Sequence, residues 1–109
     1  MSKPLPPITV ADLKTQLDGG APLRLVDVRE PAEFTSELGH IDGAELIPLN
    51  TLPAQLQQLK TDTREIVAIC KSGMRSGHAA DFLAKNGLAA RNLHGGMLAW
   101  KSAGLPIKR

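Results

Sequence analysis

Apolar and polar positions alternate along this chain in two rhythms, one of helical spacing and one of short unbroken apolar runs. Val10, Leu13 and Leu17 fall on one helical face, with Thr9 as N-cap, Asp12 three residues on and Gly19-Gly20 as the stop. This predicts a first helix. Pro22 then leads into Leu23-Arg24-Leu25-Val26-Asp27-Val28, read as a strand that ends in the charges of Asp27, Arg29 and Glu30. Pro31 fits the first turn of a short helix carrying Glu33 and Phe34. Gly39-His40-Ile41-Asp42-Gly43-Ala44 is a tight connection before a short strand around Glu45 to Ile47, and Asn50 or Thr51 caps a helix with Leu52, Leu56 and Leu59 on one face.

Ile66-Val67-Ala68-Ile69 is too apolar to have a wet face, which suits the inside of a parallel sheet covered on both sides. It runs through Cys70 into the loop Lys71-Ser72-Gly73-Met74-Arg75-Ser76 and then into a helix buried along Ala79, Phe82 and Leu83 and ended by Asn86-Gly87. A strand near Ala90 to Leu93, the turn Gly95-Gly96 and a last helix bearing Trp100 complete the pattern. Strands and helices alternate throughout. The expected class is therefore α/β, with a mostly parallel central sheet of about five strands and right-handed crossovers placing helices on both faces.

With 109 residues, 42% of them hydrophobic, the chain suits one compact domain. The Pro-rich segment 1–7 reads as a flexible N-terminal arm and 8–109 as the domain. A net charge of +2 is too balanced to indicate nucleic acid or a membrane surface as partner, so any functional positive field must be local. No apolar run approaches the ~18 residues of a membrane span, and the N-terminus lacks a signal-peptide core. The single cysteine excludes an internal disulfide and a cysteine-only metal site and fits a reducing, cytoplasmic setting; neither metal nor cofactor is expected.

Cys70 stands at the carboxyl end of a buried strand, where open α/β sheets bind ligands, and at the start of a helix, whose unpaired N–H groups and dipole favour an anion. Gly73 allows the loop to curl its amides toward the sulfur, and Lys71 and Arg75 bring full charges nearby. These features predict a thiolate at neutral pH, about one to two units below the free thiol value. The interval is Cys-x4-Arg, one residue shorter than the Cys-x5-Arg loop of phosphatases and arsenate reductases, which must hold a tetrahedral oxyanion.

Here the chain resembles the rhodanese family of sulfurtransferases, whose six-residue active loop matches Cys70 to Arg75. Leu25-Val26-Asp27-Val28-Arg29-Glu30-Pro31-Ala32-Glu33-Phe34, Gly39-His40-Ile41-Asp42-Gly43-Ala44, and Gly95-Gly96 through Trp100 to Gly104-Leu105-Pro106 are similar to three further segments of that family, in the same order. The resemblance implies a rhodanese-like three-layer fold and a ping-pong reaction through a persulfide on Cys70. It implies thiosulfate as a small anionic donor, and cyanide or a thiol as acceptor. The loop amides of Lys71, Ser72, Gly73, Met74, Arg75 and Ser76 would hold the substrate and the persulfide. No second cysteine exists on the chain to resolve that intermediate, so the acceptor comes from outside.

Several roles stay open at this stage. Arg75 steadies the anionic donor, is a strut paired with Asp27 or Glu33, or does both. Asp27 and Arg29 leave their strand at the same edge as Cys70 and are expected to brace the loop from behind. His40 reads as a hydrogen-bonded turn residue, His78 and His94 have no required role, and Met97 and Trp100 read as core. A carrier domain that receives persulfide from a sulfur-relay protein is the alternative to an enzyme turning over thiosulfate.

Overall fold

A computed structural model describes residues 3–109, so Met1 and Ser2 of the expected arm lie outside the described residues. Four strands form the sheet: β1 (Leu23–Asp27), β2 (Glu45–Leu46), β3 (Glu65–Ile69) and β4 (Ala90–Asn92), in the order β2-β1-β3-β4. All are parallel, with Asp27 beside Ile69 and Ala68 beside Asn92. Around them run α1 (Val10–Asp18), α2 (Pro31–Phe34), α3 (Leu56–Leu59), α4 (Met74–Lys85) and α5 (Gly96–Ser102).

Strand alternation divides the core into two layers. Ile66, Ala68 and Cys70 face the side packed by Leu59 and by Ala79, Ala80 and Leu83 of α4, whereas Val67 and Ile69 face Leu13 of α1 and Met97 and Trp100 of α5. Both faces of β3 are thus dry, as its apolar run requires. The architecture is the expected three-layer α/β fold, and Met97 and Trp100 are core. No helix among the described residues is long and apolar enough to cross a membrane.

Two expectations need correction. The sheet has four strands among the described residues rather than about five. From Lys3 on, the N-terminal segment runs beside β4, where Leu5 N–H donates to Ala90 O (2.8 Å) and Ile8 N–H to Asn92 O (3.0 Å), yet among the described residues it forms only a single bridge, Ile8 to Leu93. Pro4, Pro6 and Pro7 have no N–H to give, so no ladder develops. The helix expected after Asn50 is broken too. It consists of two 3-10 turns, Leu49–Thr51 and Pro53–Gln55, followed by the single turn of α3, because Pro53 lacks the donor a continuous helix needs. The first helix follows its sequence signals, with Thr9 Oγ1 accepting from Asp12 N–H at 3.1 Å.

Candidate active site

Cys70 follows directly on β3, and α4 begins four residues later. Gly73 makes that short turn possible by adopting φ +103°, a conformation that only glycine takes readily. It aims its N–H at the Cys70 sulfur at 3.0 Å, and Ser76 Oγ lies 3.2 Å from the same atom. The residue itself is about 1% exposed. Burial pushes the thiol up, but the Ser76 hydroxyl and the amides of Ser76, Gly73 and Ser72 pull harder, and the net effect holds Cys70 below its ordinary value. Hydrogen bonds are the leading cause of that lowering.

The loop is held open from behind by α5. Its first amides reach the outward-turned carbonyls: Met97 N–H donates to Cys70 O (2.9 Å) and Leu98 N–H to Lys71 O (3.0 Å). With those carbonyls engaged on one side, the following amides face the other, toward sulfur. Gly96 sits at the point of closest approach. At φ +58°, a Cβ there would stand 2.5 Å from both Cys70 O and Lys71 O.

Arg75 does not face the sulfur as a free cation. Its guanidinium grips the Glu33 carboxylate with Nη1 at 2.7 Å and Nη2 at 2.8 Å, so of the alternatives left open by the sequence the partner is Glu33. Arg75 beside it, with smaller help from the Glu30 N–H, overcomes burial and lowers Glu33 to about 2. Lys71 is exposed and has no ion pair among the described residues, which makes it the available cation at the loop. Ser72 and Met74 are exposed as well, Met74 to 74%.

Asp27 and Arg29 are fully buried and bond to each other, Arg29 Nε to Asp27 Oδ1 at 2.9 Å and Nη2 to Oδ2 at 2.8 Å. Arg29 also donates to Glu33 O (3.2 Å) and Gly39 O (2.7 Å). Neither residue bonds to the cysteine loop directly. They fix the end of α2, and Glu33 on α2 carries the connection to Arg75. His40 stacks on Phe34 with centroids 3.7 Å apart and has Nδ1 2.8 Å from Phe34 O, a hydrogen-bonded turn residue. His78 and His94 are exposed and make no side-chain hydrogen bond among the described residues.

Sequence reasoning missed Asn92. This last residue of β4 reaches over to the loop, with Oδ1 2.5 Å from Ser76 Oγ and Nδ2 donating to Gly73 O at 2.9 Å. A carboxamide closing a strand at the edge where Cys70 emerges was the available signal.

A family model described as a rhodanese-like domain matches residues 9–103. A sulfurtransferase of Allochromatium vinosum is 39% identical over 84 residues, covering 76% of each protein. The probable adenylyltransferase/sulfurtransferase MoeZ of Mycobacterium tuberculosis is 42% identical over 96 residues, which is 85% of this chain but 24% of MoeZ, so the chain spans about a quarter of that relative. The crystal structure of a rhodanese-like domain protein from Staphylococcus aureus superposes with a TM-score of 0.80 at 36% identity, over 98% of this chain and 99% of the other.

Proposed function

The chain belongs to the rhodanese-like domain family of sulfurtransferases, and on that premise we propose that Cys70 carries sulfane sulfur from thiosulfate to cyanide or a thiol. The Cys70 thiolate attacks the outer sulfur of thiosulfate. A new S–S bond forms, the sulfur–sulfur bond of the donor breaks, and its electron pair leaves with sulfite. The persulfide anion is held by the amides from Lys71 to Ser76. Cyanide or a thiolate then takes the outer sulfur and returns the Cys70 thiolate, so charge and atoms balance at each step with no redox partner. Residues 8–109 constitute the working unit in this reading, 1–7 are its arm, and a reducing compartment such as the cytoplasm keeps the lone thiol available.

The observation that carries the proposal is the Cys70 sulfur under the Gly73 amide and Ser76 hydroxyl, at 3.0 and 3.2 Å. At about 1% exposure the cysteine admits a donor that leads with a single small atom, as a sulfane sulfur does. The Cys-x4-Arg interval and the engagement of Arg75 by Glu33 argue against a phosphate-binding loop. Incubation with thiosulfate followed by intact mass measurement should show one added sulfur, absent from Cys70→Ser. An unmodified wild-type mass rules the proposal out.

A second reading, a persulfide carrier served by a sulfur-relay protein, is favoured by one feature. Met74 presents a 74% exposed apolar side chain beside the loop mouth, where a protein partner would cover it. Slow thiosulfate turnover together with fast uptake from a persulfide-bearing protein would select this reading.

A further inference from the structure

Ser76 Oγ lies 3.2 Å from the Cys70 sulfur and 2.5 Å from Asn92 Oδ1, yet a hydroxyl has one proton to donate. The Asn92 amide cannot turn to offer a donor instead, because Nδ2 must face the Gly73 carbonyl at 2.9 Å. Oδ1 is an acceptor only. Both neighbours of the hydroxyl therefore compete for the same proton whenever Cys70 is ionised.

We propose that Asn92 is a positioning residue for the nucleophile: its Oδ1 and the Cys70 sulfur share the single Ser76 hydroxyl proton, while its Nδ2 holds Gly73 so that the loop amide stays on the sulfur. With Cys70 as a thiol, the S–H donates to Ser76 Oγ and the Ser76 O–H donates to Asn92 Oδ1. When the thiol proton leaves to solvent, the Ser76 O–H swings to the thiolate and Asn92 Oδ1 gives up that bond. No bond other than S–H breaks, and no redox partner is involved. Once sulfur is loaded, the charge moves to the outer atom, the Cys70 sulfur becomes a poor acceptor, and the hydroxyl returns to Asn92. That last step rests on the sulfur-transfer reading above, whereas the ionisation step stands without it.

The geometry gives Asn92 two opposing effects that substitutions can separate. Losing Oδ1 frees the Ser76 proton for the sulfur and favours the thiolate. Losing Nδ2 loosens the Gly73 turn regardless of what stands at position 76. A comparison with and without the hydroxyl isolates the first effect from the second.

The experiment measures the pH dependence of Cys70 alkylation by iodoacetamide, which needs no sulfur donor and so fails independently of the thiosulfate proposal. Wild type, Asn92→Ala, Ser76→Ala and the double variant are compared. Ser76→Ala should raise the apparent pKa, and Asn92→Ala should lower it by about half a unit relative to its effect in the Ser76→Ala background. An equal effect of Asn92→Ala in both backgrounds overturns the shared proton and leaves Asn92 a purely structural support. Should Asn92→Ala fail to fold, Asn92→Asp provides the second route, since it keeps the size and strengthens the acceptor. Its apparent pKa should then rise more with Ser76 present than with Ala at 76, and equal rises again count against the proposal.

Discussion

Arg75, in the first turn of α4 after the Cys70 loop, is bound to Glu33 of α2 by two contacts of 2.7 and 2.8 Å across 42 residues of sequence. Because Arg29 grips the Glu33 carbonyl and is itself anchored on Asp27, the Cys70 loop is tied through Glu33, Arg29 and Asp27 to the end of β1. The charge that the sequence offers as a substrate ligand is used to fix the loop in place. What remains for the sulfur is mainly hydrogen bonding, from Gly73, Ser76 and the neighbouring amides.

This pairing has a pH signature. Glu33 is lowered to about 2 from an ordinary 4.5, so its contribution to stability is fully present above about 4.5 and is lost as pH falls through about 2. The pair is about one-third exposed, and solvent screening reduces its worth to the order of 1 kcal/mol. Glu33→Gln should lower the unfolding free energy from urea denaturation at pH 7 by that amount. The gap from wild type should close as pH approaches 2, and a constant gap across that range would contradict the linkage.

Gly96 tests whether the loop depends on close backbone approach. A Cβ there would meet Cys70 O and Lys71 O at 2.5 Å, backbone atoms that cannot move without moving the loop, and φ +58° adds strain. Gly96→Ala should cost more than about 2 kcal/mol and slow Cys70 alkylation. Gly43→Ala has φ +88° but nothing within 4 Å, so it carries strain alone and should leave alkylation unchanged. Thermal denaturation and alkylation rate together distinguish the two.

What could be read along the chain was what local pattern encodes. The apolar run from Ile66 to Ile69, the lone cysteine after it and Gly73 in the turn placed Cys70 and its loop at the carboxyl end of β3, and Thr9 placed the start of α1. Partners brought together by the sheet were less accessible. Arg24 looks like an exposed strand residue, yet it is 6% exposed and bonds to Glu45 and Gln58, 21 and 34 residues away. Asn92 shows its role only when β4 lies beside β3, and nothing in a linear string says which of Asp27 or Glu33 meets Arg75. Proline explains one further departure: Pro53 breaks a helix whose leucine spacing is otherwise regular.

The buried Asp27–Arg29 pair should behave unlike a surface salt bridge. Arg29→Met leaves the fully buried Asp27 carboxyl without its guanidinium partner, and also releases the Glu33 and Gly39 carbonyls. A loss of about 3–5 kcal/mol is expected. Asp27→Leu combined with Arg29→Met removes both charges and should cost less than Arg29→Met alone, read from urea midpoints. If the double variant is the less stable one, the pair itself rather than the uncompensated charge provides the stabilisation.

Lys71 is the remaining cation of the loop and should account for the recognition of an anionic donor. It is exposed and unpaired among the described residues, whereas Arg75 is neutralised by Glu33. An exposed ammonium attracts a dianion weakly and in a salt-dependent way, so Lys71→Ala should raise KM for thiosulfate on the order of three- to tenfold with little change in kcat. Raising ionic strength should shrink the difference between variant and wild type. Alkylation by iodoacetamide, which is neutral, should change far less than thiosulfate KM, because the Ser76 hydroxyl and the loop amides that lower the Cys70 pKa are intact in the variant. An equal loss with the charged donor and the neutral probe would mean that Lys71 shapes the loop instead of drawing in the anion.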